Sequence, residues 1–459
     1  MKTIQKKIYY RVEFTLISPL ALSSGVADST DKDLMVDGVG QPYIPASAIA
    51  GVTKEILENS GISETDRYFG FVDKNTSKSG DISKSEESKL IFYDAVIKKT
   101  EGNPQVISIR DSVALDEFKT AKSGAKYDME VLEPGTAFIT LLEQDVYDQD
   151  CDFAFHVVRA LCSEKIRFGA KSTRGYGKIR VDRIERAQFA FDPEEGSTDT
   201  SADGTSERDK MYGLEDWLMF SPYEDELWND VTEKNLEKVA KDRKSISFTL
   251  KLEGGISIRK YTTKPSSGNE SQPDMEQLTV HSAGKEELPT IPGTSWAGAF
   301  IHRMKEFGMS EKEKRDNFGF VKGEGMNDKG RSKVRFSETE IHGAKEKVLS
   351  RTSIDRFTGG AVDEALFTEK TYYGGATNLN ISWLGKEGMP SEIMDYLAAA
   401  LTDLHYGFLA VGGETSIGRG LFSIELVNDK KVAGNDVDVY SLIRKEIEAS
   451  FAGKGGCEA

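Results

Sequence analysis

Repetition is the feature that most constrains this chain. FTL at 14–16 returns at 248–250, and YIPASAIAG, ending at Gly51, returns as TIPGTSWAG, ending at Gly298. FGF at 69–71 returns at 318–320, and LIFYDAVI from 90 is echoed by VRFSETEI from 334. Arg110 with Ser112 and Val113 matches Arg351 with Ser353 and Ile354; Glu130 and Gly135 match Glu369 and Gly374; GAKSTRGYG (169–177) matches GGETSIGRG (412–420). Each landmark alone is weak, but seven in one order, at offsets of 234 to 249 residues, require one fold used twice.

The two copies flank a stretch of different character. From Asp192 to Asp230 the chain carries thirteen acidic residues and two basic ones, a local charge of -11 out of a total of -16. The other 420 residues carry only about -5, so the acidic pI does not exclude basic surfaces that meet nucleic acid. DPEEGSTDTSADGTSERDK (192–210) has too little apolar surface to offset its ordering entropy and reads as a mobile linker. The following MYGLEDWLMFSPYEDELWND carries Trp217, Phe220 and Trp228 and is expected to dock. The expected domains are 1–190 and 244–459, with a flexible acidic connector at 191–243. Three cysteines, Cys151, Cys162 and Cys457, fit neither a disulfide framework nor a zinc site, and the five histidines show no metal spacing. There is no apolar run long enough for a membrane span and no apolar signal core, so the expected location is cytoplasmic.

Within each copy the order is strand, helix, strand, a long excursion, strand, helix, glycine-rich turn, strand. IYYRVEFTLI and KLIFYDAVI have strand composition, and Ile49, Val52, Ile56 and Leu57 share one face of a helix. The expected class is α+β: two tandem ferredoxin-like (RRM-like) units, each an antiparallel four-stranded sheet backed by two helices.

The turn and helix DGVGQPYIPASAIAG, the FGF element, the Arg110 segment and GAKSTRGYG together resemble the RAMP superfamily, the ferredoxin-like subunits of CRISPR RNA-guided complexes. The chain is most similar to the backbone subunits of type III effectors, in a fused two-unit form like that of a type III-D variant. The resemblance implies that each excursion is a thumb hairpin, that guide RNA lies along the units, and that one loop aspartate cuts the paired target RNA. Two departures stand out: Ala46 replaces the glycine that Gly293 keeps, and Glu414 sits where Lys171 carries a cation.

The candidate site residues follow from these motifs. In the first glycine loop, Gly175 and Gly177 let backbone N–H groups approach phosphate, while Lys171, Ser172, Thr173 and Arg174 supply charge and donors; a plain β-turn with solvated cations is the alternative. The second loop offers Thr415, Ser416, Gly418, Arg419 and Gly420. At the helix starts, Ser47 and Ser295 are suited to capping N–H groups or to greeting a phosphate, with Lys54 and Arg303 nearby. Phe118 and Lys119, with Lys122 and Lys126, or Arg356 and Phe357 in the second copy, are the thumb candidates. The family spacing makes Asp37 the turn residue and Asp31 the catalytic one, with Asp33 beside it and Asp28 further off. In DMEQLTVHSAGKEELPTIP, aligning LTV with LMV sets Met275 opposite Asp31; Asp274 fits only by sliding one position, and Glu276 is also close.

The expected function is therefore a guide-RNA-binding backbone subunit that cleaves complementary target RNA in antiviral defence, with a divalent metal, Mg2+ or Mn2+, assisting. Its expected partners are guide CRISPR RNA, target RNA, other RAMP subunits and a large polymerase-like subunit. A non-catalytic scaffold is the first alternative, and a repeat-RNA-processing endoribonuclease the second.

Overall fold

The computed structural model describes residues 4–25, 30–72, 85–99, 106–115, 121–147, 150–163, 165–191, 211–223, 227–232, 245–260, 273–280, 287–320, 330–432 and 438–452. The first unit contains β1 (Lys6–Leu16), α1 (Ala46–Asn59), β2 (Leu90–Phe92), β3 (Ile107–Leu115), β4 (Ala121–Leu132), β5 (Ala137–Val146), α2 (Ala154–Leu161) and β6 (Ile179–Ala190). The second repeats the series with β7 (Ser245–Leu252), α3 (Gly293–Glu306), β8 (Val334–Phe336), β9 (Lys345–Ile354), β10 (Ala361–Tyr373), β11 (Ala376–Trp383), α4 (Ser391–His405) and β12 (Phe422–Val427), then adds α5 (Val439–Phe451).

Sheet order is β6-β1-β5-β2 in the first unit and β12-β7-β11-β8 in the second, with every one of these neighbours antiparallel. That is strand order 4-1-3-2 twice, the ferredoxin-like arrangement. The excursions are the β3–β4 and β9–β10 hairpins. Alternation along β1 turns Ile8, Tyr10, Val12, Phe14 and Leu16 toward the helices, and the two units bury separate cores around Phe14, Phe138 and Phe168 and around Trp296, Phe300 and Phe336. Among the described residues no helix is long and apolar enough to cross a membrane.

Within the acidic stretch the described residues 211–223 and 227–232 are folded against the first unit, which narrows the expected flexible connector. Met211–Tyr212 and Asn229–Asp230 both pair with β6. Trp217, Phe220 and Trp228 cover Tyr9 and Phe189 on the face of the first sheet opposite the helices. The Trp217 indole N–H donates to the Tyr9 hydroxyl at 3.0 Å, and the Arg11 guanidinium lies 4.7 Å from the Trp228 ring. Three large aromatics gain more from covering apolar sheet than they lose in chain entropy, and so this part is held. Residues 192–210, expected as the mobile linker, lie outside the described residues.

Candidate nucleic-acid interface

RRM-like folds stack bases on the open sheet face, but in the first unit that face is taken by Trp217, Phe220 and Trp228. In the second unit the corresponding face presents Ser247, Thr249, Lys251, Asn378, Asn380 and Ser423, with no aromatic ring among them. Neither sheet offers a stacking platform. The polar residues singled out by sequence gather elsewhere, around the base of each hairpin.

Asp31 is exposed and lies beside β4. Its N–H donates to Asp128 Oδ1 at 2.8 Å, while its own Oδ2 accepts from the Asp128 N–H at 3.0 Å. Farther along, the Leu34 N–H donates to Glu130 Oε2 and the Glu130 N–H to the Lys32 carbonyl, so β4 holds residues 31–34 in register. Asp33 turns inward, accepting from the N–H and hydroxyl of Thr30 at 2.8 and 3.0 Å. Asp37 closes the turn by accepting from the N–H groups of Val39 and Gln41. Asp28 lies outside the described residues.

In the second unit the hairpin resolves the register. Asp274 Oδ2 accepts from the Thr368 N–H on β10 at 2.9 Å, and the Asp274 N–H donates to the Thr368 carbonyl at 2.8 Å. Asp274, exposed like Asp31, therefore has the Asp31 relation to its hairpin strand. The alignment on LTV is corrected: Met275 pairs in parallel with Glu369 as a strand residue, because the strand here begins one position later. Glu276 pairs with Lys260 in the same small sheet.

The β4 strand also joins the aspartate loop to the glycine loop. Tyr127, next to Asp128, lies between the Lys32 and Lys171 ammonium groups, 5.7 and 4.8 Å from its ring, and Lys171 donates to the Ser112 hydroxyl on β3 at 2.9 Å. Burial lowers the Lys171 ammonium pKa. Burial alone would raise the Tyr127 hydroxyl, but the nearby Lys171 charge outweighs it and the shift is downward. Lys32, Ser112, Tyr127 and Asp128 were missed in the sequence; the last three have only alternation along the hairpin strands as a signal, and Lys32 only its place in the aspartate loop.

In the first glycine loop, Lys171 takes the left-handed conformation at φ 55° and Ser172–Arg174 form a single turn, with Ser172 and Thr173 half-buried and Arg174 exposed. Gly177 is needed because a Cβ there would collide with the Phe168 carbonyl, and Gly420 stands in the same relation to the Val411 carbonyl. Gly175 faces the second unit: a Cβ would lie 2.5 Å from the Glu338 nitrogen. The second loop has the same shape, with Glu414 at φ 55°, a turn at Thr415–Ile417, and Ser416 and Gly418 exposed. Arg419, read as an RNA contact, is corrected: it is 2% exposed, bonded to Glu369 at 2.9 Å and 4.8 Å from the Tyr373 ring. It aligns with Tyr176, which is also buried, so this is a core position in both units.

The serines at the helix starts do not cap. Pro45 and Pro292 occupy the cap positions without side-chain bonds, and the Ala46 N–H is taken by Asp94 Oδ1 at 2.7 Å, leaving Ser47 exposed and Ser295 half-buried within the first turn. Lys54 is paired with Asp66 at 2.7 Å, and Arg303 with Asp403 and Glu306, each at 2.6 Å. Phe118 and Lys119 lie outside the described residues. At the tip of the second hairpin, Asp355 accepts from the Phe357 and Thr358 N–H groups; Phe357 is 99% exposed and Arg356 is also exposed.

Two arginines, the buried Arg110 and the exposed Arg331, cross the seam between the units. Arg110 forks onto Glu133 at 3.0 and 2.8 Å and reaches across to Glu338 of the second unit at 2.7 Å. Arg331 crosses the other way, to Glu55 on α1 at 2.6 Å and to the Ser172 hydroxyl at 3.3 Å. The seam explains the Ala46 departure. A Cβ at Gly293 would meet the Arg174 carbonyl of the first unit's glycine loop and lie 2.5 Å from the Phe336 carbonyl, so the second helix start cannot carry the alanine that stands at 46.

A family model described as the RAMP superfamily matches residues 13–180 and 274–423. No curated protein matches the chain. Among solved structures, the chain is similar to one described as "Cryo-EM structure of the Type III-B Cmr-beta bound to cognate target RNA", at 20% identity and a TM-score of 0.31, covering 39% of this chain. The match spans 61% of that structure's chain.

Proposed function

The chain belongs to the RAMP superfamily, and from that premise we propose that it is a guide-RNA-binding backbone subunit of a type III CRISPR effector that cuts complementary target RNA beside each hairpin. The carrying observation is the repeated geometry: an exposed aspartate, Asp31 or Asp274, fixed by its carboxylate to a backbone N–H of the hairpin's second strand. An oriented carboxylate can take the proton from a 2'-hydroxyl as that oxygen attacks the adjacent phosphorus; the bond to the 5'-oxygen breaks, leaving a cyclic phosphate and a 5'-hydroxyl end that takes up a solvent proton. In this reading Lys32 and Lys171, both near the Tyr127 ring, supply the cations for the strand's phosphates in the first unit. The exposed Phe357 suits insertion between bases to splay the strand.

Among the described residues no group of three or more His, Cys, Asp or Glu side chains is placed to hold an ion. A Mg2+ or Mn2+ ion would have to draw most of its ligands from RNA and water. The remaining partners of this proposal are guide RNA, target RNA, further RAMP subunits and a polymerase-like subunit.

The test is cleavage of target RNA by assembled complexes carrying Asp31→Ala, Asp274→Ala or both. Each single change is expected to abolish one set of cuts and the double change all of them. Unchanged cutting by the double variant refutes nuclease action and leaves the second reading, a guide-binding scaffold.

A further inference from the structure

Arg335 is an unusual residue to find where it is. It lies on the edge strand β8 between Val334 and Phe336, which face the core, and it is itself only 5% exposed. The Ser172–Arg174 turn of the first unit lies against this strand, and Gly175 abuts the Phe336 and Glu338 backbone. Three arginines are this deeply buried among the described residues. Arg110 has Glu133 and Glu338, and Arg419 has Glu369. Arg335 has no ion pair, and its Nε has no hydrogen-bond partner, among the described residues.

The charged groups facing Arg335 are Arg167, Arg331 and Glu55. Burial first, then the two neighbouring arginines, push its guanidinium well below the ordinary range. Among the described residues the carboxylate near Arg335, Glu55, is taken up by Arg331 at 2.6 Å and leaves Arg335 without an ion pair. Arg331 also binds the Ser172 hydroxyl, and about half of its side chain is open to solvent, giving the cluster a route outward. Packing does not call for an arginine here, since the aligned residue in the first unit is Ile91, 43% exposed. A buried guanidinium is costly unless an anion meets it.

We infer that the seam between the two units holds one phosphate group, gripped by Arg335 and Arg331 with Arg167 beside them and the Ser172 hydroxyl as a further donor. Forked guanidinium donors match phosphate oxygens, and closely spaced arginines in a partly desolvated place need that charge. Bound there, a phosphate ties β8 of one unit to the glycine loop of the other, so ligand binding and closure of the seam are one event. Naming the phosphate as one from an RNA backbone rests on the function proposed above; free phosphate has the same chemistry.

The experiment uses the full chain, its Arg335→Met variant and, as a second variant at an exposed position, Arg331→Met. Thermal unfolding is followed in inorganic phosphate and in chloride of matched ionic strength, and binding of a 20-residue oligouridylate is followed against salt. Wild type is expected to gain several degrees in phosphate. Arg335→Met should be the more stable protein in chloride and gain nothing from phosphate, and Arg331→Met should gain less than wild type. For RNA, the slope of log affinity against log salt should fall by about 0.7 in Arg335→Met, the value of one lost phosphate contact on a single strand. Equal phosphate responses in all three proteins overturn the site. A lost phosphate response with an unchanged RNA slope assigns the site to free phosphate and overturns the RNA source. If wild type binds no RNA at all, the function proposed above fails while the phosphate arm still decides the site; if Arg335→Met does not fold, Arg331→Met decides it by the same two measurements.

Discussion

Two glycines at matching positions of the two loops make a controlled comparison of how closely the units are packed. Gly175 and Gly418 both have left-handed backbone, at φ 94° and 83°. Alanine at either pays the same conformational strain, about 1 kcal/mol. They differ in what the new methyl meets: at Gly418 there is nothing within 4 Å, while at Gly175 the Glu338 nitrogen is 2.5 Å away and is backbone, unable to swing aside. Overpacking of that kind costs a further ~1–3 kcal/mol. Gly418→Ala should therefore lose about 1 kcal/mol and Gly175→Ala about 2–4 kcal/mol. Urea unfolding monitored by tryptophan fluorescence reads both units, since Trp217 and Trp228 lie on the first sheet and Trp296 and Trp383 in the second core. Equal losses for the two variants would show that the glycine loop does not press on the second unit, and the packing argument for Gly293 would go with it.

Other consequences can be measured on the same protein. Burial lifts the Glu338 carboxyl above its ordinary 4.5 although Arg110 opposes the shift, so the folded state holds that proton longer and loses stability as pH rises through the raised value. Glu338→Gln cannot titrate there, and the difference in unfolding temperature, variant minus wild type, should become more positive from pH 5 to pH 8; a difference that shrinks refutes the assignment. Trp217→Ala should cost about 2 kcal/mol, less than the ~3–5 kcal/mol of a fully buried aromatic, and should speed proteolysis within 211–232; unchanged urea midpoints would mean that the segment is not docked. The Cys162 thiol, pushed up to about 12 by burial, should react with a thiol reagent at pH 8 far more slowly than exposed Cys151, as peptide mapping after brief labelling would show.

Architecture was largely legible in the sequence, because periodicity and repeat order are local signals that survive divergence. The helices after YIP and TIP, both hairpins and the glycine turns lie where the landmarks put them. Asp274 was harder to place, because its register is set by a bond to Thr368, 94 residues away, and not by the neighbouring LTV. Arg419 illustrates the opposite error: a cation in a glycine loop looks available until its alignment with the buried Tyr176 is taken as evidence of depth. Contacts between the units leave almost no local trace. The exchange of glycine for alanine between 293 and 46 was visible, but its cause, a carbonyl from the other unit, lies more than a hundred residues off along the chain.

That exchange also governs where the geometry of the inner seam can be repeated. The inner seam is a plug, the first glycine loop, seated in a socket formed by β8 and the start of α3. The corresponding features are open among the described residues: a Cβ at Gly418 would meet nothing within 4 Å, and Ile417 and Ile91 are 56% and 43% exposed. They do not suit each other in the inner geometry, because the methyl of Ala46 stands in the space that Gly293 leaves for a carbonyl, and Asp94 is already spent on the helix start. A glycine loop seated against α1 as the first one is seated against α3 would have to displace the Ala46 methyl, so the geometry of the inner seam is matched to one of the two helix starts and not to the other.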